Sequence, residues 1–263
     1  MSSSDKSAIR PAASIVLIRD GANGIEAFMI ERHQVPGHAF SGYLVFPGGK
    51  VDAEDHAPLA GSAPRPAAAW PDPGFWVAAV RETFEEAGIL LARSAAGGPI
   101  VGGDVAARLT ATARAAGSPR PDFADMLKRE HLVPALDTLV HYGHWITPTW
   151  APRRFDTHFF LVAAPPDQHV ALDAEESAHG SWMRPRDVIA ETDAGKHALV
   201  AVTRFSLELL DTWGTVDEAL AAARRRKIVT VQPQREKVDG GWLLRIPEEA
   251  GYLRSQMWQK AGG

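Results

Sequence analysis

The most informative stretch of the sequence is Arg81-Glu82-Thr83-Phe84-Glu85-Glu86-Ala87-Gly88-Ile89. It lies in a segment, residues 75–91, whose apolar residues recur with helical spacing. On a helix, Glu82, Glu85 and Glu86 stand at i, i+3 and i+4, which places all three carboxylates on one face. Like charges at these spacings repel each other, so basic neighbours, solvent or a hard divalent cation must offset the repulsion.

Mg²⁺ and Mn²⁺ are the cations that such a face would suit, because they take oxygen ligands from carboxylates, water and phosphate. A backbone carbonyl in Pro47-Gly48-Gly49 could add a further oxygen, since glycine permits close approach of the backbone. Acidic triples on helices are more often solvated faces than metal sites. The choice between the two therefore depends on the surrounding sequence.

The surrounding sequence predicts an α/β fold with mixed strand pairing. We expect a hairpin over residues 14–32, closed by a turn at residues 20–24, and further strands at 43–46, 137–146, 156–164 and 181–183. We expect additional helices at 105–115, 122–131, 187–191, 199–211 and 215–226, and two short strands within 228–246.

The expected domain organisation is a disordered N-terminus, residues 1–10, followed by one domain over 11–263. Three parts of that domain stand apart: a Pro/Ala-rich irregular loop at 57–74, a helical insertion at 103–132 and a C-terminal extension at 187–263.

Composition excludes several classes of function. The chain has 263 residues, a net charge of −4 and no cysteine. Disulfides, thiolate metal sites and cysteine nucleophiles are thereby excluded, and a broad polybasic surface for nucleic acid or anionic lipid is disfavoured. No apolar stretch is long enough to predict a membrane span, and the first ten residues lack an apolar signal region. We expect a cytoplasmic protein whose partner is a small molecule and not a membrane.

The segment around the three glutamates resembles the Nudix box, G-x5-E-x7-R-E-U-x-E-E-x-G-U, in which U is aliphatic. The matching positions are Gly49, Arg81, Glu82, Glu85, Glu86, Gly88 and Ile89. Three features depart from the pattern. Asp55 stands where the pattern has glutamate, Thr83 occupies an aliphatic position, and the 32 positions from Gly49 to Arg81 include about 18 inserted residues.

An insertion at this point, after Phe-Pro-Gly-Gly, is similar to one branch of the family: the peroxisomal coenzyme A diphosphatases of mammals and their bacterial relatives. Residues 145–148, Trp-Ile-Thr-Pro, and residues 153–160, Arg-Arg-Phe-Asp-Thr-His-Phe-Phe, also resemble that branch. The resemblance covers about residues 12–190. It implies a Nudix-type α/β/α sandwich around a mixed β-sheet, here with a helical insertion and extra C-terminal helices.

The resemblance also implies roles for particular residues. Glu82, Glu85 and Glu86 would bind Mg²⁺ or Mn²⁺, with a carbonyl oxygen from Gly49 or Gly48. Glu82 and Arg81 would be catalytic, Arg81 by orienting the carboxylates through an ion pair. The reaction would be attack of a metal-activated water on a diphosphate linkage.

The general base is predicted less directly. A glutamate of the box or an acid from a later segment could serve, and Glu175 and Glu176 are the candidates in the later segment, with Glu176 preferred. A solvated turn is an equally good interpretation of that pair.

Substrate contacts are predicted for three arginines. Arg153 and Arg154 could bind phosphates, although such a pair more often lies in a solvated turn. Arg32 is followed by no further Arg or Lys before Leu44, so the paired-arginine motif of shorter coenzyme A diphosphatases is not intact. Trp145, Trp150 and Phe155 could stack on an adenine ring or belong to the core or a dimer interface. His141 and His144, three apart on a strand, are expected on opposite faces and not as a metal pair.

Three functional hypotheses remain open. Coenzyme A or acyl-coenzyme A is the substrate suggested by the branch. ADP-ribose, NADH, a dinucleoside polyphosphate or capped RNA would keep the chemistry and change the substrate, although the negative charge disfavours long RNA. A nucleotide-sensing Nudix module without catalysis is a third hypothesis, which the intact carboxylates disfavour. A homodimer is also expected, because Nudix enzymes are often dimers.

Overall fold

A computed structural model describes residues 8–33, 42–56, 71–115, 122–172 and 177–260. Most of the N-terminus predicted to be disordered and most of the Pro/Ala-rich segment lie outside these residues. Glu175 and Glu176 also lie outside them. Within them, the structure contains no helix both long and apolar enough to cross a membrane.

The chain forms a mixed β-sheet that divides two hydrophobic cores. The strands of this sheet and of two smaller sheets, numbered along the chain, are β1 (Ile9–Gly21), β2 (Gly24–Arg32), β3 (Leu44–Val45), β4 (Gly48–Lys50), β5 (Ala92–Ser94), β6 (Leu132–Pro134), β7 (Val140–Ile146), β8 (Arg154–Ala163), β9 (Ser177–Met183), β10 (Thr230–Val231), β11 (Gln234–Val238), β12 (Gly241–Arg245) and β13 (Gln256–Lys260). The main sheet has the order β10-β7-β8-β1-β2-β3, with β4 paired to β1 and β9 paired to β2. The β1–β8 and β7–β10 pairs are parallel, and the other pairs are antiparallel.

In the part of the chain that the structure describes, six α-helices flank the two cores: α1 (Pro73–Ala87), α2 (Gly103–Ala115), α3 (Phe123–Arg129), α4 (Pro185–Asp193), α5 (Ala201–Leu210) and α6 (Val216–Arg225). The face of β1 that carries Ile15 and Leu17 packs against α1. Its opposite face, which carries Val16 and Ile18, packs against α5 and α6. Period-2 alternation along one buried strand thus produces two cores, and the α/β/α sandwich around a mixed sheet is confirmed.

Several element boundaries differ from the sequence prediction. The helix expected over 75–91 begins at Pro73 and ends at Ala87, because Gly88 adopts a left-handed φ of 68° and its N–H bonds to Phe84 O. Residues 103–132 contain the two expected helices, α2 and α3. The strands β5 and β6, which pair with each other outside the main sheet, were not predicted.

The C-terminal extension has the three expected helices followed by a small sheet of order β11-β12-β13. The hairpin of β11 and β12 turns at Asp239 and Gly240, within the segment where two short strands were expected. The third strand, β13, was missed, because its sequence Gln-Met-Trp-Gln-Lys is too polar to stand out as a strand. This sheet contributes to the cleft described below.

Candidate active site

Helix α1 is fixed at both ends by its own sequence. The Asp72 carboxylate accepts a hydrogen bond from Gly74 N at 2.9 Å, and Pro73 occupies the first turn, where its missing N–H has no consequence. Trp76, Val80 and Phe84 anchor the helix in the core beneath it. The last two turns therefore have a fixed rotation, and Glu82, Glu85 and Glu86 are placed together beside β4.

Arg81 is the centre of the carboxylate cluster. Its Nε and Nη2 donate to the two oxygens of Asp55 at 2.9 Å each, and its Nη1 donates to Glu82 Oε1 and Glu85 Oε2, also at 2.9 Å. Nη2 further donates to Lys50 O at 2.9 Å. Burial alone would lower the pKa of Arg81, but the hydrogen bond to Asp55 and the surrounding carboxylates outweigh it and raise the pKa above its ordinary value. The guanidinium is therefore permanently charged and holds Glu82 and Glu85 in place.

The glycines before the insertion bring the backbone against the same carboxylates. Gly48 N donates to Glu86 Oε2 at 2.7 Å. A Cβ on Gly49 would lie 2.5 Å from the carboxyl carbon and both oxygens of Glu82. Only glycine fits between β4 and the Glu82 carboxylate at this point, so the Gly48–Gly49 backbone lies against the acidic face. The role of a carbonyl oxygen there as a metal ligand stays a prediction.

Arg32 connects this cluster to a cleft. Its Nη2 lies 3.4 Å from Glu86 Oε1 and 3.3 Å from Gly48 O, and its side chain also lines the cleft. The described ion pairs bring two guanidinium groups, Arg32 and Arg81, to five carboxylates: Asp52, Asp55, Glu82, Glu85 and Glu86. An excess of carboxylate oxygens beside a glycine backbone is a donor set that suits a hard dication.

The cleft has a volume of about 490 Å³, within the range of small-molecule sites. The backbone of residues 48–50 lines the cleft and is contacted by Glu82 and Glu86, whereas Glu82, Glu85 and Glu86 are not themselves among the described residues that line it. The walls of the cleft come from the end of β7, the turn that follows it, the start of α5 and the C-terminal sheet. Apolar side chains predominate, among them Phe46, Trp145, Phe159 and Leu244. The cleft therefore combines charged groups with an apolar interior.

The two predicted arginines of the β7–β8 turn have different positions. Arg153 lines the cleft. Arg154 Nε instead donates to Thr147 O at 3.1 Å, which ties the turn to the first residue of β8. Trp145, Trp150 and Phe155 all line the cleft. Trp145 is almost fully buried, and its indole N–H donates to Tyr252 Oη at 2.7 Å, so this tryptophan is also part of the core.

The departures from the Nudix pattern are accommodated locally. Asp55 is buried and accepts two hydrogen bonds from Arg81. An aspartate, although shorter than the glutamate of the pattern, therefore reaches the arginine from the helical turn Ala53–His56. Thr83 is fully buried, and its hydroxyl donates to Ala79 O at 2.8 Å within the helix. Glu176, the predicted general base, lies outside the described residues and remains a prediction.

One expectation is wrong: His141 and His144 lie on the same face of the sheet. The pairing of β7 with β8 shifts register between His141 and Gly143, and the extra residue of this bulge reverses the alternation. Both rings therefore meet His158 of β8: His141 Nε2 lies 2.9 Å from His158 Nδ1, and the His144 ring stacks on the His158 ring. Burial is the main cause that lowers the pKa of His141 to about 4 and of His158 to about 2. Sequence periodicity alone gave no signal for this cluster.

Replacing Gly49 with alanine tests the contact between β4 and Glu82. The new Cβ would occupy the place of the Glu82 carboxylate, and Glu82 would have to move away from Arg81. A displacement of about 1 Å of a reacting group can cost about a hundredfold in rate. We expect kcat to fall by about that factor, and the melting temperature to fall by a few degrees because Glu82 loses part of its buried contact with Arg81. Steady-state kinetics and differential scanning fluorimetry measure the two effects. Unchanged kcat would show that the close approach has no functional role.

Comparison with known proteins agrees with this geometry. Residues 60–201 match the family model described as the NUDT19 Nudix domain. The crystal structure of a Nudix hydrolase from Alicyclobacillus acidocaldarius is similar, with a TM-score of 0.67 and 30% identity over 82% of this chain and 96% of that chain. The chain therefore belongs to the Nudix hydrolases.

Within that superfamily, the chain matches the family of the NUDT19 Nudix domain. The acyl-coenzyme A diphosphatase NUDT19 of Gallus gallus is 32% identical over 164 residues, which cover 54% of this chain and 41% of that protein. Nudix hydrolase 7 of Caenorhabditis elegans is 31% identical over 159 residues, 59% of this chain and 46% of that protein. The matches thus span less than half the length of these two relatives.

Proposed function

We propose that the protein is a divalent-metal-dependent diphosphatase that cleaves the diphosphate linkage of coenzyme A or acyl-coenzyme A. The observation that carries the proposal is the contact of Glu82 and Glu86 with the Gly48–Gly49 backbone, which lines the cleft. Glu82, Glu85, Glu86 and a carbonyl of Gly49 would hold the metal. Mg²⁺ or Mn²⁺ bound there would neutralise the charge of a diphosphate and lower the pKa of a bound water.

The remaining parts of the site have complementary tasks. Arg81 fixes two of the carboxylates, so that they need not reorganise when a cation binds. Arg32 and Arg153 offer guanidinium groups at the cleft for phosphate oxygens. Trp150 and Phe155 offer aromatic faces for a nucleobase, and the apolar interior suits the less polar part of a thioester. The name of the chicken relative supports the choice of acyl-coenzyme A.

A panel of diphosphates tests the proposed substrate. Coenzyme A, an acyl-coenzyme A, ADP-ribose, NADH and a dinucleoside polyphosphate are each incubated with Mg²⁺ or Mn²⁺, and the products are identified by mass. We expect 3′,5′-ADP and 4′-phosphopantetheine, or its acylated form, from the coenzyme A substrates, with a higher kcat/KM than for the others. Preferential cleavage of ADP-ribose or NADH would overturn the coenzyme A assignment. Tight binding with no product would favour the sensing module.

Arg153 and Arg154 form a matched pair for testing substrate binding. Because Arg153 lines the cleft and Arg154 bonds to Thr147 O, Arg153→Ala is expected to raise KM about tenfold, the cost of roughly one charge-assisted hydrogen bond. Arg154→Ala is expected to lower the melting temperature by a few degrees and to leave KM near the wild-type value. The reverse pattern would place the phosphate contact at Arg154.

A further inference from the structure

One arginine of the C-terminal sheet lies over two tryptophan rings beside the cleft. Arg235 Cζ is 4.7 Å from the centroid of the Trp150 ring and 4.3 Å from the centroid of the Trp242 ring. Arg235 and Trp242 belong to the paired strands β11 and β12, whereas Trp150 belongs to the turn between β7 and β8. The guanidinium therefore connects that turn to the C-terminal sheet.

Aromatic faces, and not a carboxylate, hold the Arg235 side chain. The adjacent Glu236 lies on the opposite face of β11 and pairs with Arg245 at 2.9 Å. Among the ion pairs of the described residues, none includes Arg235. A guanidinium within about 6 Å of an aromatic centroid is attracted by the negative face of the ring. Attraction to two rings at once therefore fixes the position of this guanidinium.

The turn that carries Trp150 has several hydrogen bonds at its base. Thr147 N donates to Phe155 O, Phe155 N donates to Thr147 Oγ1, and Arg154 Nε donates to Thr147 O. These bonds close the turn on itself but do not join its tip to the C-terminal sheet. The contact of Trp150 with Arg235 makes that connection, so it restricts where the tip can lie.

The tip of this turn lies at the cleft. Trp150 and Arg153 line the cleft, as does Leu244 of β12, which is the pairing partner of Arg235. Arg235 itself is not among the described residues that line it. Trp150 is 37% exposed, so the part of its ring that Arg235 does not cover is open to a ligand. An indole supported in this way offers a fixed stacking surface to a planar group.

We propose that Arg235 is a positioning residue, which holds Trp150 as the stacking surface for the adenine of the substrate. The inference rests on the function proposed above, because it requires that the substrate binds in this cleft. Coenzyme A, ADP-ribose and NADH all contain an adenosine diphosphate moiety, so the inference does not depend on which of them is cleaved. The base, the indole and the guanidinium would form one stack. The C-terminal sheet thereby takes part in binding the nucleotide end of the substrate.

Binding of ADP, compared with binding of inorganic pyrophosphate, tests this proposal. ADP contains the nucleotide end of these compounds, whereas pyrophosphate has the phosphates without a base. Both are titrated into the full chain with Mg²⁺ in a calorimeter. We expect Arg235→Met to weaken the Kd for ADP by about fivefold and to leave the Kd for pyrophosphate within about twofold. An equal loss for both probes, an unchanged Kd for ADP, or no binding of ADP to the wild type would overturn the proposal.

The panel of diphosphates is scored separately, so the two proposals can fail independently. Cleavage of coenzyme A together with ADP binding that ignores Arg235 contradicts only the stacking proposal. Preferential cleavage of ADP-ribose together with the expected effect of Arg235→Met contradicts only the choice of substrate. In turnover, Arg235→Met should raise KM by about the same fivefold factor and leave kcat within about twofold, because the glutamates of α1 are untouched.

A double variant shows whether Arg235 acts through Trp150. Trp150→Ala is expected to weaken the Kd for ADP by about tenfold, a typical cost of losing one base-stacking ring. In that background, Arg235→Met should cause no further loss, because the ring that it positions is gone. Losses that multiply in the double variant would show that Arg235 acts independently of Trp150, and would contradict the proposal.

Lys237→Met is the matched control for Arg235→Met. Lys237 is exposed and lies two residues further along the same face of β11, so the substitution removes the same charge beside the same cleft. The Kd for ADP should stay within about twofold of wild type. A loss as large as that of Arg235→Met would show that only the general positive charge matters. Circular dichroism confirms that each variant is folded.

Discussion

Replacing Glu85 or Glu86 with glutamine is expected to lower kcat for Mg²⁺-dependent diphosphate cleavage by at least about a thousandfold, with the fold intact. Glutamine keeps the shape of the side chain and its capacity to accept from Arg81 or from Gly48 N, but it removes one negative charge from the proposed metal site. Stabilisation of transition-state charge by a metal is worth several kcal/mol. A loss of about 4 kcal/mol corresponds to about a thousandfold in rate.

Glu54→Gln is the matched control for this prediction. Glu54 neighbours Asp55 in the chain, but it is exposed and is not a predicted ligand. The Glu54→Gln substitution removes the same charge from the same region of the protein. Because Glu54 is not a predicted metal ligand, kcat should stay within about twofold of wild type. Full activity in purified, folded Glu85→Gln and Glu86→Gln would remove the proposed mechanism.

Arg81→Met is expected to lower the free energy of unfolding by about 3–5 kcal/mol, the cost of removing one partner from a buried ion pair. Arg81 makes hydrogen bonds to Asp55, Glu82, Glu85 and Lys50 O, and its loss would leave the carboxylates repelling each other. For a chain of this size we expect a fall in melting temperature of about 10 °C. Activity should be lost together with stability, because Glu82 and Glu85 would no longer be held.

The double variant Arg81→Met/Asp55→Asn tests whether the stability lost in Arg81→Met comes from the unpaired, buried Asp55 carboxylate. Replacing both members of a buried pair costs less than removing one of them. The double variant should therefore regain part of the melting temperature lost in Arg81→Met, and added Mg²⁺ should raise the melting temperature of both. If the double variant is less stable than Arg81→Met by the full cost of Asp55→Asn alone, Arg81 does not act through that carboxylate.

Sequence reasoning succeeded where local patterns determine structure. The spacing of the apolar residues and of the glutamates was enough to identify α1 and its acidic face, because helical periodicity is a property of a few consecutive residues. The order of elements likewise gave the mixed sheet and the helices of the C-terminal extension.

Contacts between distant segments could not be derived in this way. The bonds of Arg32 to Gly48 O and Glu86 join residues 16 and 54 positions apart, and only the folded sheet brings them together. The histidine cluster depends on one bulge in β7, whose extra residue reverses which side chains share a face. A single polar strand such as β13 is equally hard to recognise in the sequence, because it is its pairing with β12, and not its composition, that makes it a strand.

Anomalous diffraction from crystals soaked in Mn²⁺ locates the ion relative to the three glutamates of α1. We expect a peak within coordination distance of the carboxylates of Glu82, Glu85 and Glu86, beside the Gly49 carbonyl, and its disappearance in Glu85→Gln/Glu86→Gln. A catalytically active crystal form with Mn²⁺ bound elsewhere and none on these glutamates would contradict it.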